Sequence, residues 1–180
     1  MKKLVCFTGA PCSGKTKSLE AMELIKGYKD FHITPEAPTF FKQGLHTIPQ
    51  GGPEQEQFDI LVYNSRLYSV MEAQRRPEEM VFFDRGTFDG AVYHSSFFDL
   101  VNTTVEQELE RYTSIVLFET LAAVDRYEIN DTRWEPAEMA LEIHTKLRDI
   151  CKTHPNFIEI PANLDSMRRL TMVLDHVDSI

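Results

Sequence analysis

Five short apolar runs punctuate the chain, and segments with helical spacing fill the gaps between them. The runs are Leu4-Val-Cys-Phe-Thr8, Phe31-His-Ile-Thr34, Met80-Val-Phe-Phe-Asp84, Ser114-Ile-Val-Leu-Phe118 and Phe157-Ile-Glu-Ile160. Short apolar, β-prone stretches of this kind predict strands buried in a sheet. After the first run, Leu19, Met22 and Ile25 recur at helical spacing. A longer helix is predicted from Glu54 to about Arg75, with Phe58, Leu61, Tyr68 and Met71 broadly on one face and Arg75-Arg-Pro77 as its end. Thr87 to Phe98 is mixed, with Phe88, Ala91, Val92 and Ser95 compatible with a helix face, and Thr104 to Tyr112 is a charged helical segment. Pro136, a favoured first-turn residue, opens a helix whose stripe is Ala140, Ile143, Leu147 and Ile150. Leu164, Met167, Leu170, Leu174 and Val177 make a last amphipathic helix. Strands alternating with helices predict an α/β fold with a five-stranded parallel sheet flanked by helices. Right-handed crossovers then bring every strand's carboxyl end to one edge.

Composition adds bounds. The chain has 180 residues, enough for one domain over 1–180 with a full core, and shows no repeat, low-complexity tract or linker. A net charge of −9 argues against a general nucleic-acid or anionic-membrane surface. Three cysteines, Cys6, Cys12 and Cys151, form neither a disulfide framework nor a zinc pattern. No apolar run approaches a membrane span, and Met1-Lys-Lys opens no signal peptide, so the expected location is cytoplasmic. Phe41 to Pro53 is rich in Gly and Pro and reads either as a mobile loop near the substrate or as a plain connector.

The candidate chemistry begins where the first strand ends. Gly9, Ala10, Pro11, Cys12, Ser13, Gly14, Lys15 and Thr16 spell G-x-x-x-x-G-K-T, between a strand and a helix. This is the phosphate loop of nucleotide-handling proteins, in which inward backbone N–H groups need small residues for close approach. Lys15 would reach the outer phosphates and Thr16 would ligand Mg²⁺. Asp84 ends an apolar strand, as in a Walker B segment, and would hold the metal or the reacting hydroxyl. Pro35-Glu36-Ala37-Pro38 places Glu36 just past the second strand, on the ligand-binding edge of an open α/β sheet. Arg85, Glu119 and Pro161–Asn163 are expected on the same edge.

At these residues the chain resembles a family of small P-loop proteins, the AAA-type ATPase/kinase-like domains, which includes relatives of the ribosylnicotinamide kinase domain of bacterial NAD regulators. The carriers are Gly9–Thr16, Pro35-Glu36-Ala37, Val81 to Gly90 with Tyr93, Tyr127 to Glu135 leading into Pro136–Ala140, and His154-Pro-Asn-Phe157. A looser similarity to deoxynucleoside kinases rests on Glu36 and Asp84-Arg85, although Ala37 and Gly86 depart from their Glu-Pro and acidic-Arg-Ser patterns. The resemblance implies a P-loop NTPase three-layer sandwich of nucleoside- and nucleotide-kinase type, with ATP and Mg²⁺ as cofactors.

The expected activity is phosphoryl transfer from ATP to a small hydroxyl- or phosphate-bearing acceptor, nucleoside- or nucleotide-like, by a monomer or homodimer. Catalysis would then rest on positioning and charge stabilisation by Lys15, Glu36, Asp84, Arg85 and Arg133. Glu36 or Asp84 would accept the acceptor's proton, Arg85 would bind substrate or the moving phosphoryl, and Arg126 and Arg133 would sit in a lid around 121–135. The competing reading is an ATP hydrolase or switch that drives a protein partner. Switches and motors usually place Glu directly after the Walker B Asp, or a Gln near it; Arg85 stands there instead, and no Asn-Lys-x-Asp guanine signature appears. For Cys12, His94, Trp134 and Asp89, roles in filling space, capping and packing are expected, and Asn163 falls near adenine by position alone.

Overall fold

Each apolar run pairs with its neighbours in parallel. β1 (Lys3–Gly9), β2 (Phe31–Thr34), β3 (Met80–Asp84), β4 (Ser114–Phe118) and β5 (Phe157–Ile160) form one sheet in the order β2-β3-β1-β4-β5. Asp84 stands opposite Phe7 and Phe118 opposite Gly9, so the carboxyl ends share an edge. The computed structural model describes residues 2–25, 30–34, 41, 52–127 and 136–180. Glu36, Arg133, Trp134 and nearly all of the 41–53 loop lie outside the described residues.

Side chains alternate across a strand, so the apolar runs feed two cores. On one face, Leu4, Cys6, Val81, Phe83, Ile115 and Leu117 pack with Val70, Ile143 and Leu147. Those partners come from α2 (Gly52–Ala73) and α5 (Ala137–Cys151). On the other face, Val5, Phe7, Phe82, Val116 and Phe118 meet Leu19, Met22, Val173 and Val177. These come from α1 (Lys15–Ile25) and α6 (Ser166–Ser179). The result is a three-layer α/β sandwich. Phe31, Phe82, Phe7 and Phe118 run across four strands as a ladder of tilted rings, with centroids 5.2–5.3 Å apart. Such ring pairs contribute about 0.5–1.5 kcal/mol each beyond area burial.

Two helix faces differ from the sequence expectation. On α2 the buried line is Phe58, Val62, Tyr63, Arg66, Val70 and Ala73, whereas Leu61, Tyr68 and Met71 are 42%, 66% and 54% exposed. The polar groups of Tyr63 and Arg66 disguise the true stripe. On α6 the line is Arg169, Val173 and Val177, at i, i+4 and i+8, while Met167 points to solvent. On α5, His144 and Cys151 join the predicted stripe, and Ile150 is only partly buried. Thr87 to Phe98 forms no single helix. It makes a 3₁₀ turn at Asp89–Val92 and then enters α3 (Phe97–Leu100). The charged segment after it becomes α4 (Val105–Leu109), opened by a Thr104–Gln107 capping box.

A buried polar network ties α2 to α4. Glu108, with no exposed surface, accepts from Tyr63 Oη at 3.0 Å, Thr103 Oγ1 at 2.6 Å, and Arg111 Nε and Nη2 at 2.8 and 2.9 Å. Both carboxylate oxygens are satisfied; burial works to raise its carboxyl, but hydrogen bonds from Arg111 and Thr103 and the Arg111 charge hold it below the usual range.

Candidate active site

Between β1 and α1 the backbone turns tightly around Gly9–Thr16, and the glycines are sterically required. A Cβ at Gly9 would lie 2.7 Å from the Phe118 carbonyl oxygen. Gly14 has φ +76°. Cys12 also adopts a left-handed conformation, φ 57°, which is uncommon for a residue with a side chain. The loop is tied to the exit of β4: Thr120 Oγ1 donates to the Pro11 carbonyl at 2.7 Å, and the Leu121 N–H donates to the Cys12 carbonyl at 2.9 Å. These bonds brace the loop against the exit of β4.

Lys15 is buried, and its Nζ contacts the Asp84 carboxylate. Thr16 is exposed in the first turn of α1. Hydroxyl and carboxylate oxygens at the phosphate loop are the hard donors that suit Mg²⁺. The Gly9 and Gly14 cradle, closed to any side chain, likewise suits close backbone approach to a phosphate.

Arg85 follows Asp84 in the left-handed region, φ 78°. Its backbone N–H bonds the Phe7 carbonyl at 2.9 Å. Its Nη1 lies 3.3 Å from both the Gly9 carbonyl and Asp89 Oδ1. Asp89, expected as a helix cap, instead knits two strands' exits together. Its Oδ1 accepts from Thr8 Oγ1 and its Oδ2 from the Gly86 N–H, both at 2.8 Å. Beneath the same turn, Tyr112 Oη accepts the Thr87 N–H at 2.9 Å, and burial pushes its phenol far above its ordinary range.

The structure therefore brings Gly9–Thr16, Asp84, Arg85 and Glu119 to one edge. Arg126 is exposed and follows the 3₁₀ turn Leu121–Val124, bonding back to the Leu121 carbonyl at 3.0 Å. The described start of the predicted lid, 121–127, is thus anchored to the phosphate loop at Leu121. Asn163 is exposed after β5. His94 has Nδ1 3.3 Å from Ser96 Oγ and Nε2 3.7 Å from Glu56 Oε1.

Sequence reasoning gave Arg169 no role. It is 6% exposed and lies over the Phe118 ring, 5.6 Å from its centroid. Its Nη2 donates to the Glu119 carbonyl at 3.2 Å. Its spacing with Val173 and Val177 was the available signal. Glu119 Oε2 accepts the Ala162 N–H at 2.7 Å and thereby fixes the segment after β5. Glu119, His144 and Glu159 converge there within 4.8 Å. Glu159, however, is already engaged by His144 Nε2 at 2.9 Å and by Arg148 Nε on both oxygens. Burial lowers the His144 imidazole's proton affinity, with Glu159 opposing.

The sequence matches the AAA domain family over residues 4–166. No curated protein matches it. The fold is similar to deoxyadenosine kinase from M. mycoides in complex with dCMP and dCDP: TM-score 0.65 at 13% identity, covering 98% of this chain and 100% of that one. The same kinase with bound dATP gives a TM-score of 0.61 at 12% identity, with 97% and 99% covered. The NadR protein in complex with NAD and AMP-PNP gives 0.68 at 11% identity, covering 99% of this chain and 49% of NadR, so this chain spans about half of its length. At these identities the likeness establishes the fold.

Proposed function

This chain belongs to the AAA domain family, and we propose that it is an ATP- and Mg²⁺-dependent phosphotransferase acting on a small, nucleoside- or nucleotide-like acceptor. The observation that carries this reading is the meeting of Lys15 and Asp84 at the phosphate loop, with Arg85 as the next residue. Lys15 and the loop amides would hold the ATP phosphates. Thr16 and Asp84 would hold the metal, which supplies charge neutralisation to the phosphates. Arg85 would stabilise the moving phosphoryl or orient the acceptor. Glu36 or Asp84 would take the acceptor hydroxyl's proton, and Arg126 and Arg133 would close over the nucleotide and exclude water. Residues 1–180 would act as one domain.

That the M. mycoides kinase binds deoxynucleotides, and NadR binds NAD and AMP-PNP, supports a nucleoside-like acceptor. Arg85 also favours transfer over hydrolysis, because the position beside Asp84 carries no carboxylate to activate water.

The test is ADP release from Mg-ATP, alone and with a panel of nucleosides, nucleotides and ribosyl pyridines. The expected result is strong stimulation by one class. Equal release with every compound would overturn the transfer reading in favour of a hydrolase. Glu36→Gln should retain ATP affinity while transfer falls; a collapse of ATP affinity would move Glu36 to the nucleotide site.

A further inference from the structure

Arg169 is a cation with too few partners. Its Nη2 has the Glu119 carbonyl, but its Nε is buried with no hydrogen-bond partner. Among the described residues no carboxylate lies within ion-pair distance of it; the nearby Glu119 carboxylate is turned to the Ala162 N–H. The Phe118 ring offers a cation–π face, a weaker compensation than a carboxylate. Leaving a guanidinium buried in this state is costly unless a counter-charge arrives.

The position of Arg169 says where that counter-charge would sit. Its Nη1 lies 2.8 Å from where a Cβ on Gly14 would project, so the guanidinium lies directly against the phosphate loop. Lys15 differs: its ammonium already has Asp84. Of the two buried cations that the described residues place beside the loop, Lys15 and Arg169, only Arg169 has no carboxylate within ion-pair distance among them.

We propose that Arg169 is a positioning residue of the nucleotide site, a buried cation behind Gly14 whose charge is compensated by the polyphosphate of the bound nucleotide. The inference rests on the phosphotransferase reading above. Arg169 acts through the loop: it fills the space that a side chain at residue 14 would need and adds positive potential where the loop amides face the ligand. Its contribution should scale with phosphate charge and should be absent for a nucleoside.

The test is calorimetric titration of wild type, R169M and R169K with ATP and with adenosine, alongside thermal melts of the ligand-free proteins. In R169M the ATP dissociation constant should rise about tenfold, as for loss of one partly buried charge interaction. The adenosine constant should stay unchanged, and R169K should recover most of the ATP affinity. The ligand-free R169M protein should melt no lower than wild type, because an uncompensated buried charge is gone. A lower melting temperature with wild-type ATP affinity, or equal losses for ATP and adenosine, would overturn the proposal. Should R169M not fold, R169Q keeps an N–H for the Glu119 carbonyl and is read the same way; failure of both neutral variants to fold would make the charge a structural requirement and overturn it too. Absence of ATP binding by wild type would remove the phosphotransferase reading and this inference with it.

Discussion

Two buried polar regions of this protein are built to opposite standards. Under α2 and α4, the Glu108 carboxylate has donors on both oxygens from Tyr63, Thr103 and Arg111. At the phosphate loop, Arg169 keeps an orphaned Nε, two residues with side chains sit at left-handed φ, and Asp84 has only Lys15 as its ion-pair partner among the described residues. A saturated network fixes packing and has nothing left to offer a ligand. An unsaturated one costs stability and retains binding capacity. Orphaned buried atoms also occur away from the loop, at Arg66 Nε on α2 and His144 Nδ1 on α5, so it is the combination of features at the loop, and not one orphan, that sets it apart.

Breaking the saturated side should cost the most stability. Glu108→Ala leaves Arg111 and Tyr63 without their acceptor and should lower folding free energy by about 3 kcal/mol. Denaturant melts would show this, and a nucleotide affinity unchanged in the folded fraction would keep the two regions distinct. On the unsaturated side, Lys15→Ala should reduce turnover at least about a hundredfold, roughly 2.7 kcal/mol of transition-state stabilisation. Wild-type ADP release from that variant would take the loop out of the mechanism. Tyr112→Phe sits between the regions, because it strands the buried Thr87 N–H beneath the Asp84–Gly86 turn. It should cost about 1 kcal/mol of stability, with a smaller loss of turnover from the loosened turn.

The smallest effect is a pH dependence. Burial holds the His144 and His176 imidazoles below their ordinary range, with Glu159 opposing the shift at His144 and Arg148 reinforcing it. As pH falls through the ordinary imidazole range near about 6.5, the unfolded chain takes up protons that the folded one refuses. Stability should therefore be fully present above that range and decline as pH falls below it. His144→Gln and His176→Gln should each flatten the slope of melting temperature against pH; unchanged slopes would show that the decline belongs to the carboxylates.

The sheet was legible because its central strands β1, β3 and β4 are buried on both faces and read as near-continuous apolar runs, while the partly buried edge strands β2 and β5 still carry Phe31, Ile33, Phe157, Ile158 and Ile160. All five runs form strands, with ends shifted by at most one residue. The phosphate loop and Asp84 were legible because a loop that admits phosphate tolerates few residue types. The α2 face was misread because its core line includes two polar residues, Tyr63 and Arg66; the Tyr63 hydroxyl is satisfied by Glu108, 45 positions away. Arg169 escaped for the same reason, since its neighbours at Gly14 and Phe118 are remote in sequence. Asp89 looked like a local cap because nothing nearby in sequence marks Thr8 as its partner. Contacts set by the fold rather than by the segment are what one-dimensional reasoning leaves out.

The Lys15–Asp84 pair carries one more consequence. Each member is the other's competitor for a ligand: Lys15 cannot serve a phosphate fully while it serves Asp84, nor Asp84 a cation while it serves Lys15. Whatever draws one away liberates the other. Two ligands of opposite charge would therefore assist each other, and by thermodynamic reciprocity the factor by which either tightens its companion must be the same in both directions. On the proposed reading the pair would work as an interlock, in which half-loaded states are penalised and the fully loaded one is favoured.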